Sequence, residues 1–173
     1  MKYFIVGFLA MLLISCGSTV AVDYEKGTNW TEFKGYQFYT EMETGLSQLD
    51  NNRVMQAADS ILQLLGLQRT DYNDFYINFY VEEALYESRN TLGIGIGSGG
   101  GNVGIGGGIG IPIGGRVINQ HITLEFIEAE LGDKLVWQAV YDGVLKEKAT
   151  PRQKKVYYAK VMAKMLAEYP PKN

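Results

Sequence analysis

The sequence predicts an α+β domain: an antiparallel β-sheet in the order β-β-α-β-β-β-α, two helices packed on one face, and a Gly-rich hairpin insertion. Three observations predict it. Long stretches alternate apolar and polar residues with a period of two, which makes half-buried strands. Two stretches repeat apolar residues at three-four spacing behind helix-capping residues. Between the strands, residues 92–115 alternate isoleucine with glycine.

Ser18 to Tyr24 places Val20, Val22 and Tyr24 on one side of a first strand. Asn29 to Gly35 is a loop, and Tyr36 to Thr40 a short second strand. Asp50, Asn51 and Asn52 offer N-cap side chains to a helix whose stripe is Val54, Ala57, Ala58, Ile61, Leu62 and Leu65. Gly66 stops that helix and lets Leu67 fold back on its last turn. Phe75 to Leu85 turns Phe75, Ile77, Phe79 and Val81 one way and Tyr76, Asn78 and Tyr80 the other. Val117 to Glu130 places Ile118, Ile122, Leu124 and Phe126 on one face. After the turn Leu131-Gly132-Asp133-Lys134, the strand Leu135 to Leu145 aligns Leu135, Trp137, Ala139 and Tyr141 and closes a hairpin. Thr150-Pro151-Arg152-Gln153 combines an N-cap, a first-turn proline and a capping-box partner. In the helix that follows, Val156, Ala159, Ala163 and Leu166 line the inner face, while Lys154, Lys155, Lys160 and Lys164 stay in water.

The start of the chain has a different character. Lys2 supplies a positive charge, Phe4 to Ile14 is an unbroken apolar run, and Leu13-Ile14-Ser15-Cys16 closes it. Such a run is too short to span a bilayer as a mature helix and suits a signal-peptide core. The closing tetrapeptide resembles a bacterial lipoprotein processing site, with residues 1–15 removed and lipid, including palmitate, attached to Cys16. A thiol is the nucleophile that takes a diacylglycerol, and small Ser15 leaves room for the peptidase. Proteins of this type resemble one another in carrying two or three acyl chains, and that number makes the anchor permanent. By the same resemblance, Gly17 after the cysteine favours the outer membrane. The first acid, Asp23, stands too far along for a surface-export signal, so the domain is expected to face the periplasm.

Residues 16–173 suit one domain. Removal of Lys2 with the leader leaves fifteen basic residues against nineteen acidic ones, a charge balance that gives no field for nucleic acid. With Cys16 acylated and no other cysteine, no internal disulfide forms. One histidine, His121, excludes the usual zinc ligand sets, so neither metal nor cofactor is expected. Asp71-Tyr72-Asn73-Asp74 lacks calcium-loop spacing and reads as a turn cap, and Glu125, Glu128 and Glu130 read as a solvated strand edge. His121 falls on the strand face opposite Ile122 and Leu124. No serine or acid is arranged recognisably about it, so no catalytic residues are assigned. The nominal dinucleotide fingerprint in Gly95, Gly97 and Gly100 has no following helix to present to a phosphate.

The glycine-rich stretch is the odd part. Ile94 and Ile96, then Val103, Ile105, Ile109, Ile111 and Ile113, alternate with glycine about a turn at Ser98 to Asn102. Glycine inside a strand costs about 0.5–1 kcal/mol relative to alanine, so its repetition asks for something packed on that face. Three readings stand: a mobile low-complexity loop, a flat apolar arm docking on a partner, a sister molecule or the membrane surface, or a membrane-spanning hairpin. Barrel strands alternate apolar with polar residues, which counts against the last. Tyr72, Tyr76 and Tyr80 form a row able to stack on glycans or to lie beneath a helix.

Several landmarks carry a resemblance. Asp23-Tyr24-Glu25, Phe33-Lys34-Gly35-Tyr36-Gln37-Phe38-Tyr39 and Asp74-Phe75-Tyr76-Ile77-Asn78-Phe79-Tyr80 lead into Thr123-Leu124, Gly132-Asp133-Lys134-Leu135-Val136-Trp137 and Tyr169-Pro170-Pro171-Lys172. In this order they resemble the bacterial envelope lipoproteins grouped as domain of unknown function 4136. The resemblance implies a small α+β envelope lipoprotein and no activity. The expectation is a non-enzymatic binding or scaffolding domain, with a hydrolase of envelope polymers and a self-assembling or membrane-associating protein as alternatives.

Overall fold

In a computed structural model of the chain, residues 20–86, 115–130 and 134–171 are described in full, with the backbone of 91–92 and 111–112. The elements are β1 (Val20–Tyr24), β2 (Gly35–Phe38), α1 (Gln48–Leu64), β3 (Gln68–Arg69), β4 (Phe75–Tyr86), β5 (Thr91–Leu92), β6 (Ile111–Pro112), β7 (Val117–Glu128), β8 (Lys134–Lys146) and α2 (Pro151–Met165), closed by a 3-10 turn at Leu166–Glu168.

The α+β class holds, but the sheet is mixed. Six strands lie in the order β1-β8-β7-β4-β2-β3. β2 runs parallel to both β3 and β4, and the remaining pairs are antiparallel. The reason is α1, which carries the chain from β2 back to β3 as a crossover; parallel neighbours need a connection of that length. The two-residue β3 is too short to leave an alternation in sequence. β5 and β6 form a separate antiparallel pair, Leu92 opposite Ile111 and Thr91 opposite Pro112, at the two ends of the glycine-rich stretch.

β4 alternates as its sequence predicts, with Phe75, Ile77, Phe79 and Val81 buried. β8 does not. Its register with β7 breaks between Phe126 and Ile127, so that Trp137 faces Phe126 and Leu135 faces Ile127, with Val136 the extra residue. A bulge of this kind reorients the residues before it. Leu135 becomes 44% exposed, and Val136 and Trp137 are both buried.

α1 is capped by Ser47, whose hydroxyl accepts from the Asp50 N–H, and not by Asp50, Asn51 or Asn52. Its inner stripe is Val54, Ala58 and Leu62, with Ala57 and Ile61 partly buried. At its end Gly66 takes a φ of 86°, the Leu67 N–H bonds the Leu62 carbonyl at 3.0 Å and the Gly66 N–H bonds the Gln63 carbonyl at 3.1 Å. This is the glycine-terminated reversal the sequence predicts. α2 begins with the full capping box: Thr150 Oγ1 accepts from the Gln153 N–H and Gln153 Oε1 from the Thr150 N–H. Its inner face differs from expectation. Leu166 is buried as expected and Tyr158, Val161, Met162 and Met165 are buried beside it, whereas Val156, Ala159 and Ala163 are exposed. Both sets have helical spacing; the longer tyrosine and methionine side chains reach the sheet where alanines leave it bare.

The two helices and the inner sheet face enclose one core. Its centre is aromatic: Phe126 lies 4.7 Å from Phe75, 4.7 Å from Trp137 and 4.9 Å from Tyr169, and Tyr169 meets Trp30 edge-on at 5.7 Å. Burial raises the Tyr169 phenol well above its ordinary pKa.

Candidate functional surface

A sheet covered on one face presents the other to solvent. Here that outer face is four strands wide and its side chains fall in rows fixed by register. One row is Asn78–Glu125–Gln138–Asp23, and the next is Tyr80–Thr123–Val140–Ala21, with Thr123 buried between its neighbours and the other members on β4, β7 and β8 half-buried. The Glu125 carboxylate accepts from Asn78 Nδ2 at 2.9 Å and from Gln138 Nε2 at 3.0 Å, tying three strands together. Glu125 is therefore a mid-sheet bridge and not part of a solvated edge, because β7 runs between β4 and β8. Tyr76 and Tyr80 are half-buried on this face, with Tyr76 5.1 Å from Tyr39. Tyr72 stands apart on the β3–β4 turn, 93% exposed.

His121 lies on the outer face beside Asp142, with Nδ1 2.7 Å from the carboxylate, and Glu82 is its partner on β4. An open recess of about 580 Å³ spans these residues and Ala84, Asn119 and Val144. Both members of the pair are open to water, at 46% and 82% side-chain exposure. A second recess of about 750 Å³ lies at the other edge, between β2 and α1, where Arg69 bonds Gln37 at 2.9 Å and sits over the Phe38 ring. Among the described residues no group of three or more His, Cys, Asp or Glu side chains could hold a metal ion. Asp74, expected to cap the turn before β4, instead reaches across to the start of β2, accepting from the Lys34 and Gly35 N–H groups at 2.7 Å each.

Cys16, Ile94, Ile96, Val103, Ile105, Ile109 and Ile113 lie outside the described residues, and Ile111 is described only as backbone in β6. Sequence reasoning missed two buried polar clusters. Asp50, 5% exposed, is bound by Arg53 on its own helix and by Lys154 of α2 at 2.7 Å, so Lys154 is not left in water. The signal was present: Asp50 precedes Val54 by one helical turn and so lies on the apolar stripe. The second cluster joins Gln120 to Glu83 at 2.6 Å and to the Tyr158 hydroxyl at 3.2 Å, and burial pushes the Tyr158 phenol up to about 12. Alternation alone puts Gln120 inward, two residues before Ile122.

A family model, the domain of unknown function DUF4136, matches residues 20–171. The chain belongs to the DUF4136 family. Its landmarks Phe33, Phe75, Trp137 and Tyr169 all belong to the core. No curated protein matches the sequence. Among solved structures, the DUF4136 domain is similar to a PDZ domain protein from Parabacteroides distasonis, at 14% identity and a TM-score of 0.57, covering 90% of this chain and 36% of that one. The domain thus spans about a third of that protein's length. It is also similar to the PelC dodecamer from Paraburkholderia phytofirmans, at 14% identity and a TM-score of 0.50, covering 91% of this chain and 100% of that one. At such identity both likenesses show the fold alone.

Proposed function

We propose that this DUF4136 protein is an envelope lipoprotein, anchored through lipid on Cys16 at the outer membrane and facing the periplasm, whose domain binds or scaffolds a partner without catalysing a reaction. The Leu13-Ile14-Ser15-Cys16 sequence supports the location. One structural observation supports the role: the outer sheet face, uncovered by any described element, carries tyrosine, amide and carboxylate side chains in ordered rows. Such a face suits a broad contact better than a reaction. The His121–Asp142 pair is the feature a hydrolase would use, but catalysis also needs a nucleophile and groups to stabilise developing charge. In-cell crosslinking with mass spectrometry tests the role, comparing the intact chain with Tyr76→Ala/Tyr80→Ala and with a deletion of residues 93–110. Loss of crosslinked partners supports binding through the face or the arm respectively; an unchanged partner list in both variants sinks it.

Self-association is the second reading. It draws on the PelC protein, which shares the fold and is a dodecamer. Native mass spectrometry separates the two readings, since a strictly monomeric chain rules out the second.

A further inference from the structure

The start of β1 and the strand ends flanking the arm point toward the same end of the domain, and that end has an unusual surface. β1 runs antiparallel to β8, with Val20 opposite Tyr141. The start of β1 therefore points toward the end of β8 at Lys146, which is also the end where β4 stops at Tyr86 and β7 starts at Val117. Three residues lie between Cys16 and Val20, and the four steps from one to the other span, fully extended, about 14 Å. Lys146 lies five residues beyond Tyr141, about 17 Å along the strand. Measured along the strand direction, such a tether would end short of the tip, which would bring the arm-bearing end of the domain, and with it the last rows of the sheet, to the bilayer surface.

Those rows are built for it. The tip row is Tyr86–Val117–Lys146, and behind it come Leu85–Ile118–Leu145 and Ala84–Asn119–Val144. Tyr86, Leu85 and Val144 are 61%, 56% and 59% exposed. Around them stand Lys146, Lys148, Arg152 and Lys155, all exposed, with Arg116 and Glu147 facing each other at 4.0 Å. Apart from Glu147, which faces Arg116, the described carboxylates of these strands, Glu83 and then Glu82 and Asp142, begin three rows back from the tip. Arg152 and Lys155 also occupy the first turns of α2, which holds no acidic residue in its first turn. A cation in that first turn opposes the helix dipole, so the dipole does not account for Arg152. Among the described residues no helix is long and apolar enough to cross a membrane, so this is a surface contact.

We propose that this tip is a membrane-docking surface for anionic phospholipid, with Leu85, Tyr86 and Val144 entering the headgroup region and Lys146, Lys148 and Arg152 meeting lipid phosphates. The proposal rests on acylation of Cys16, and it fixes which end of the domain lies on the membrane and leaves the outer sheet face free for a partner. Exposed apolar side chains ringed by lysine and arginine bind interfaces in this way, and salt weakens the charged part.

The test uses protein purified from the membranes of cells expressing the full chain, with intact mass reporting acylation. It is reconstituted into vesicles of phosphatidylcholine alone or with phosphatidylglycerol, and hydrogen exchange is followed by peptide. Residues 82–86 and 144–152 should exchange several-fold more slowly on the phosphatidylglycerol vesicles, an effect lost at high salt and in Lys146→Glu/Lys148→Glu/Arg152→Glu. These three side chains are exposed, so the variant keeps its fold, which unchanged exchange of β4 residues 75–81 confirms. Equal exchange on both vesicles, or protection that survives the charge reversal, overturns docking while the acyl mass leaves the anchor standing. A mature chain without acyl mass overturns the anchor itself.

Discussion

Asp50 is the point at which the helical layer is locked, and its removal gives a sharp test of the packing. The carboxylate is 7% exposed and takes both Arg53 and Lys154, the second across 104 residues of chain. Breaking one partner of a buried pair costs about 3–5 kcal/mol when the other charge is stranded. Here Lys154 and Arg53 are 27% and 19% exposed, so they recover some hydration. Asparagine also keeps an acceptor and nearly the same shape. Asp50→Asn should therefore lose about 2 kcal/mol. For a urea dependence of about 2 kcal/mol per molar, the midpoint falls by about 1 M. Acid should erase the difference. Burial raises the Asp50 carboxyl, but the hydrogen bonds from Lys154 and Arg53 outweigh it and hold the group below the usual aspartate value. Stability of that kind is complete above the unfolded-state value, about 4, and disappears as pH falls through the lower folded-state value. Urea unfolding followed by circular dichroism, from neutral pH to about pH 3, reads both effects. Equal midpoints at neutral pH, or a gap that does not narrow in acid, would refute the reasoning.

Two further substitutions test local structure. In Gly35→Ala the new methyl would stand 2.7 Å from the Tyr72 carbonyl and 2.8 Å from the Thr70 methyl, at the start of β2. Crowding of this order should lower stability by about 1–3 kcal/mol, measured as a urea midpoint shift. Thr150→Ala removes the hydroxyl that accepts from Gln153 and should cost about 1 kcal/mol by the same assay, with Thr150→Ser restoring it. A Thr150→Ala midpoint equal to that of the native chain would show that the capping box contributes nothing to α2.

Where one local rule dominates, the sequence shows the structure. The alternation in Phe75 to Val81, the box from Thr150 to Gln153 and the Gly66 reversal all depend on neighbours within a few residues. What was hidden depends on partners far along the chain. The parallel pairing of β2 with β3 and β4 depends on where α1 returns the chain, and the two-residue β3 is too short for periodicity to reveal. The flip of Leu135 comes from a bulge against Phe126 and Ile127, and a period of two cannot announce an inserted residue. For α2, two helical faces compete, and only the depth of the sheet beneath decides for Tyr158 and Met162 over Val156 and Ala159. Of the candidate surface, His121 and the tyrosines Tyr76 and Tyr80 were placed on the correct strand faces by alternation. The basic and apolar tip was not legible, because it joins residues 85–86, 116 and 144–155 through strand register.

The central claim is that a binding domain is tethered by lipid on Cys16, and one comparison tests it most directly: metabolic palmitate labelling and intact mass of the native chain beside Cys16→Ser. The account predicts a native mature protein that begins at Cys16, carries label and stays with the membrane, and a Cys16→Ser chain that remains uncleaved and unlabelled. A Cys16→Ser chain that is normally processed and released in soluble form would contradict it.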